Sequence, residues 1–183
     1  RMAPNDPTIL YAGVEVGGMV RSRDGGQTWK QLPGIHDDIH CIGLSPGRAQ
    51  TVYVATAQGP YRSDDEGEHW ELINKGIERR YGLHLSAAPE DADVVLLTVS
   101  ENSRRLNPQL LRSTNGGCDW QVVDAIGGDG DMVVSIDWDS YNPRRVYAGT
   151  DHGKVYYSEI LGESWEQIPL ELGTIAVGAL VAA

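Results

Sequence analysis

The chain has 183 residues and a formal net charge of −11, with 40% hydrophobic and 22% charged residues. That acidic field repels phosphate backbones and argues against a nucleic-acid partner, and no run of about 18 apolar residues is present to span a membrane. A chain of this length can bury roughly 70% of its unfolded surface in one domain, and 22 glycines with 9 prolines imply many tight turns between short strands.

The opening RMAPNDPTIL lacks the charged-then-apolar pattern of a secretory leader. The two cysteines, Cys41 and Cys118, stand far apart with no C-x-x-C spacing. These features predict a cytoplasmic protein with no disulfide framework, no metal and no cofactor.

The first β-rich run is TILYAGV at 8–14, followed by the frame SRDGGQTW from Ser22 to Trp29 and a short run, KQLP. A second unit follows: DDIHCIGLSP, TVYVATA at 51–57, the frame Ser63 to Trp70, and ELIN. The third unit is YGLHLSAAP, DVVLLTV at 93–99, Ser113 to Trp120, and QVVD. The fourth is MVVSIDW, RVYAGTD at 145–151, Ser158 to Trp165, and EQIP. The frame serines at 22, 63, 113 and 158 stand 41, 50 and 45 residues apart, the period of a four-stranded propeller blade. The chain therefore reads as all-β, a single β-propeller domain over 1–183 with four four-stranded blades, each running from an innermost strand A to an outermost strand D.

The blades are expected at 4–33 with 174–183, at 37–74, at 79–124 and at 130–169. In this scheme the apolar segment 175–183 closes blade one, which removes open sheet edges. An alternative stays open. Pro4 and Pro46 each precede a tyrosine, Tyr11 and Tyr53, by seven residues. The first residues would then be the stub of an A strand, and the chain would be half of a seven- or eight-bladed propeller. A monomer suits the closed ring, and a homodimer suits paired halves.

The four frames resemble the Asp-box, or BNR repeat, of sialidase-like propellers, over essentially the whole chain. The resemblance implies a structural turn between strands C and D, built from Ser22, Asp24, Gly26 and Trp29 and their counterparts. These are Ser63, Asp65, Gly67 and Trp70; Ser113, Asn115, Gly117 and Trp120; and Ser158, Gly162 and Trp165. Short polar side chains of this kind bond to nearby backbone, and the glycine takes a conformation that other residues avoid. Ile160 stands where the fourth turn would carry its acid. A side chain replaced by isoleucine in one copy is a turn-holder, not a catalyst. The resemblance places the active face on the opposite side, and it implies that the tryptophans anchor the blades.

On that opposite face the loops between D and A, and between B and C, gather the candidates. Glu15, Asp37, Tyr81 and Asp131 are the catalytic candidates. His36, Asp38, His40, Arg79, Arg80, Arg104, Arg105, Asp151 and His152 are the ligand-binding candidates. The long third step places its extra residues in the loop 101–108, which carries Arg104 and Arg105. A sialidase would need three converging arginines, whereas here they come in adjacent pairs that point apart on a strand. Another glycosidase needs only two facing carboxylates. His36-x3-His40 has the types for a metal but a weak spacing. The leading expectation is a non-catalytic scaffold that binds a carbohydrate or protein ligand, and the alternative is a glycoside hydrolase.

Overall fold

A computed structural model describes residues 1–124, 126, 130–170 and 172. These form sixteen strands in four antiparallel four-stranded sheets, with no α-helix among the described residues. Sheet one holds β1 (Met2–Ala3), β2 (Asp6–Val14), β3 (Gly18–Ser22) and β4 (Lys30–Leu32). Sheet two holds β5 (Ile39–Leu44), β6 (Val52–Thr56), β7 (Gly59–Ser63) and β8 (Glu71–Leu72). Sheet three holds β9 (Tyr81–Ala87), β10 (Val95–Ser100), β11 (Gln109–Ser113) and β12 (Gln121–Val123). Sheet four holds β13 (Val133–Trp138), β14 (Val146–Thr150), β15 (Val155–Ser158) and β16 (Glu166–Gln167). Each sheet runs in simple chain order from its inner to its outer strand, as a propeller blade does.

The blades share one register. The serine that ends each third strand pairs with an apolar residue on the second: Leu10 with Ser22, Val52 with Ser63, Val95 with Ser113 and Val146 with Ser158. Each serine then opens the same turn. Its hydroxyl accepts the N–H four residues on, from Gly26, Gly67, Gly117 and Gly162, at 2.7–3.0 Å. Asp24 accepts the Thr28 N–H and hydroxyl, and Asp65 accepts the His69 N–H. Asn115 accepts the Asp119 N–H in the same way. The fourth turn has Ile160 instead and keeps the serine bonds without that side-chain acceptor.

Cores form between blades rather than within them. One buried cluster joins Tyr11, Met19 and Leu32 of blade one to Ile42, Val52 and Val54 of blade two. A second joins Tyr53 and Ile73 to Leu85, Val95 and Leu97. A third joins Leu96 and Leu110 to Ile136, Val146 and Trp165. Among the described residues no such cluster joins blade four to blade one. Accordingly Trp29 is 46% exposed, whereas Trp165 is 8% exposed. The tryptophan expected to anchor blade one lies on a face that no other blade covers among the described residues.

The innermost place in sheet one is taken by β1, where Met2 pairs with Leu10 and the Arg1 carbonyl accepts the Tyr11 N–H at 2.8 Å. This is the place that the sequence alternative gives to a stub of strand A. The segment 175–183, expected to close blade one, lies outside the described residues.

Candidate active site

The mouth of the propeller is built on irregularities of its inner strands. β5 carries a bulge between Ile39 and Cys41, β13 one between Val133 and Ser135, and the β9–β10 pair slips between Thr98 and Val99. A bulge inserts an unpaired residue and re-aims the side chains around it. On β5 it falls at His40, whose ring reaches the Gly82 carbonyl and the Tyr81 ring of blade three. The neighbouring loops are tied together by backbone. The Gly17 and Gly18 N–H groups of blade one both donate to the Asp37 carbonyl, at 3.1 and 2.8 Å, and Ala57 N–H donates to the Asp38 carbonyl.

His40 is the centre of this arrangement, with its side chain only 8% exposed. Its Nδ1 lies 2.6 Å from the Gly82 carbonyl. A carbonyl only accepts, so Nδ1 carries the proton. Nε2 then faces the Asp38 carboxylate at 3.3 Å. Neither that nitrogen nor the Asp38 Oδ1 has a hydrogen-bond partner among the described residues. Two acceptors at this distance need a proton or a bound polar group between them. The Tyr81 ring sits 4.7 Å from the imidazole. Burial raises the Tyr81 phenol above its ordinary value, and the charges of Asp38 and Glu15 raise it further against the pull of Arg105. Tyr81 is thus a neutral phenol that can donate a hydrogen bond.

The other side of the mouth belongs to blades three and four. Arg105 Nη1 lies 3.4 Å from Asp151, whose other oxygen accepts the Met132 N–H. Asp131 is buried, 2.9 Å from the Lys154 ammonium, and accepts the His152 N–H. Burial alone would raise the Asp131 carboxyl, but Lys154, Thr150 and His152 outweigh it and hold the group below its ordinary range. Asp131 is therefore an ionised carboxylate already balanced by a lysine, a poor general acid. The donor atoms of Asp131, Asp151 and His152 lie within 4.8 Å of one another. Lys154 and Arg105 already compensate these two carboxylates.

The remaining candidates separate. His36 spends its Nδ1 on the Asp38 N–H, so it and His40 do not converge on a metal. The Asp37 carboxylate is exposed, and its contribution is the backbone carbonyl described above. Arg79 is half-buried, Arg80 and Arg104 are exposed, and none of the three makes an ion pair among the described residues. The loop 101–108 closes on itself, with Asn107 donating to Glu101 at 2.7 Å. Sequence reasoning missed Lys154, whose ammonium lies 2.9 Å from the Asp131 carboxylate.

No family model matches the chain. A xyloglucanase of Acetivibrio thermocellus is 28% identical over 140 residues, which is 66% of this chain and 16% of that enzyme. An oligoxyloglucan-reducing end-specific xyloglucanase of Emericella nidulans is 22% identical over 193 residues, 91% of this chain and 23% of that enzyme. The crystal structure of an ancestral GH74 enzyme superposes with a TM-score of 0.79 at 21% identity, covering 92% of this chain and 23% of that one. The chain thus spans less than a quarter of the relatives that it matches. These likenesses overturn the leading expectation of a non-catalytic binding scaffold. Similarity in both sequence and structure runs to glycoside hydrolases and their propellers, so the chain is a β-propeller related to that group of enzymes.

Proposed function

We propose that this chain supplies part of the polysaccharide-handling face of a glycoside hydrolase acting on xyloglucan-type β-glucans, and that its turns are of the Asp-box type. The observation that carries the reading is the Asp38–His40 pair: a carboxylate and a bare imidazole nitrogen 3.3 Å apart, buried at the mouth beside Tyr81. Glycoside hydrolysis needs one carboxyl that gives a proton to the leaving oxygen and a second carboxylate on the other side of the sugar. Asp38 has a proton-exchanging neighbour in His40 and suits the first role. Glu15 lies on the adjoining blade-one turn, close enough for its charge to act on Tyr81, and suits the second. The Tyr81 phenol is placed to donate to a sugar hydroxyl. The relatives' substrate supports xyloglucan over other glucans.

The test combines calorimetry with xyloglucan oligosaccharides and a reducing-end assay on the polymer. Asp38→Asn should abolish reducing-end release while leaving oligosaccharide binding within about threefold, the pattern of a lost proton-transfer group. A wild-type chain that neither binds the oligosaccharides nor cleaves the polymer would overturn the reading.

A further inference from the structure

The spacing of the Asp38–His40 pair leaves room for more than a proton. His40 gives its Nδ1 proton to the Gly82 carbonyl at 2.6 Å, which leaves Nε2 as a bare lone pair. That nitrogen stands 3.3 Å from Asp38 Oδ1, and neither atom has a hydrogen-bond partner among the described residues. An imidazolium donating to a carboxylate would close to about 2.7–2.9 Å. Two ligands of one tetrahedral zinc ion, at bond lengths of about 2.0–2.2 Å, stand about 3.3–3.5 Å from each other. The observed spacing has the second value, not the first.

Both residues are fixed from behind. A histidine that ligates a metal donates its other ring N–H to a carbonyl or carboxylate, which sets the tautomer and the ring plane. The Gly82 carbonyl does this for His40. Asp38 is held through its backbone: its N–H donates to His36 Nδ1 at 3.1 Å, and its carbonyl accepts the Ala57 N–H at 3.3 Å. The His40 side chain is more than nine-tenths buried, and the Asp38 side chain keeps a path to solvent. Charge also singles out this pair. The Asp131, Asp151 and His152 group brings three donor atoms together, but Lys154 and Arg105 already carry positive charge to its carboxylates. Among the described residues His40 is the only ion-pair partner of Asp38.

We propose that Asp38 Oδ1 and His40 Nε2 form a two-ligand site for a divalent transition-metal ion of the zinc class, with water completing the coordination. An imidazole nitrogen beside a carboxylate oxygen suits zinc, whereas calcium needs about six to eight oxygens. The ion takes the space between the two atoms that a proton would otherwise use. Its binding rests on the geometry alone. Its effect on hydrolysis rests on the reading of Asp38 as the acid: a metal-loaded Asp38 has no proton to give, so the ion holds the site inactive.

Calorimetry with zinc chloride on the chelator-treated chain should show one zinc per chain. Asp38→Asn and His40→Gln should each weaken binding at least about tenfold, with circular dichroism to verify the sheets. A control chain carrying both His152→Gln and Cys118→Ser loses the rival mouth histidine and the exposed thiol, and should bind zinc as the wild type does. Proton–nitrogen correlation of the five histidine rings gives a check that needs no variant. His36 and His84 hold their proton on Nε2, because Nδ1 of the first accepts the Asp38 N–H and Nε2 of the second faces the Ile136 carbonyl. The ring whose Nε2 resonance moves with zinc should therefore be an Nδ1–H ring. Absence of zinc binding, full binding by either folded site variant, loss of binding in the control chain, or a zinc response confined to Nε2–H rings would each overturn the proposal. Reducing-end release should fall as zinc fills the site, and release unchanged by saturating zinc would overturn the inhibitory role. A chain that binds zinc at this pair and never cleaves the polymer refutes the hydrolytic reading and leaves the site standing. One that cleaves and binds no zinc refutes the site alone.

Discussion

Arg112 of blade three donates from its Nε to the main-chain carbonyl of Leu161 in blade four, at 2.8 Å. The same bond recurs one blade back, from Arg62 to Gly116 at 3.1 Å, and again from Arg21 to Glu66 at 2.6 Å. Each arginine directly precedes a turn serine, and each acceptor sits fourth in the next blade's turn. All three acceptor residues have positive φ, between 57° and 68°. That conformation turns the carbonyl outward to the arginine. Arg21 is only 4% exposed and also holds Glu68 at 2.6 Å, so Arg21→Met removes a charged donor from a buried seam. The expected loss is about 2–3 kcal/mol, and about 1–2 kcal/mol for the less buried Arg112→Met. Urea midpoints of the two variants measure the difference.

The glycines of the turns are not equivalent. A Cβ on Gly67 would meet Leu32 Cδ1 at 2.6 Å and Trp70 at 3.0 Å, with φ at +91°. Leu32 is buried and has little room to yield. Gly67→Ala should cost about 3 kcal/mol, from overpacking and backbone strain together. A Cβ on Gly25 would meet nothing within 4 Å, and φ there is +70°. Gly25→Ala should cost only about 1 kcal/mol, the left-handed strain alone. Equal losses in thermal melts of the two variants would refute this account of the seam.

Acid should loosen the first turn over a defined window. Bonds from the Thr28 hydroxyl and N–H, and from Ser22, hold the Asp24 carboxyl down at about 2, against 3.8 ordinarily. A carboxyl depressed on folding contributes stability that is fully present above the ordinary value and lost as pH falls through the folded one. The loss therefore runs from near pH 4 down to about pH 2. Asn115 fills the corresponding place in the third turn, accepting the Asp119 N–H at 2.9 Å. Asp24→Asn should keep the turn and flatten this part of the acid limb, as measured by urea midpoints at stepped pH.

Tryptophan substitutions report which blade faces are covered. Trp165 is 8% exposed and belongs to the cluster between blades three and four. Trp165→Ala should cost about 3–5 kcal/mol. Trp29 is 46% exposed, with its indole N–H on the Gly26 carbonyl at 3.1 Å. Trp29→Ala should cost roughly half as much. A larger loss at Trp29 than at Trp165, in either heat or urea, would show that another surface covers blade one.

The fold was legible because the chain repeats its own punctuation. The Ser-to-Trp frames mark the ends of third strands, and a short β-rich run precedes each of them. The seam arginines were legible too, since Arg21, Arg62 and Arg112 each stand one residue before a frame serine. Reading arginines only from loops passed them over, and Tyr157 at the fourth position hid the regularity. The mouth was less legible. A bulge leaves His40 out of the β5–β6 register, where its ring reaches blade three, and bulges leave no mark in composition. The Lys154–Asp131 pair joins a turn to a distant loop, which only the closed sheet brings together.

The three apolar clusters each draw from two blades, so the motif that the sequence copies and the body that packs are out of step by half a unit. A blade alone owns no interior. Stability then passes from neighbour to neighbour along the arc, much as in stacked repeats. Amides of β6 and β10, enclosed from both sides, should exchange with solvent last, and those of β2 first. Removing an end unit would forfeit one of these shared clusters, whereas removing an inner unit would break two.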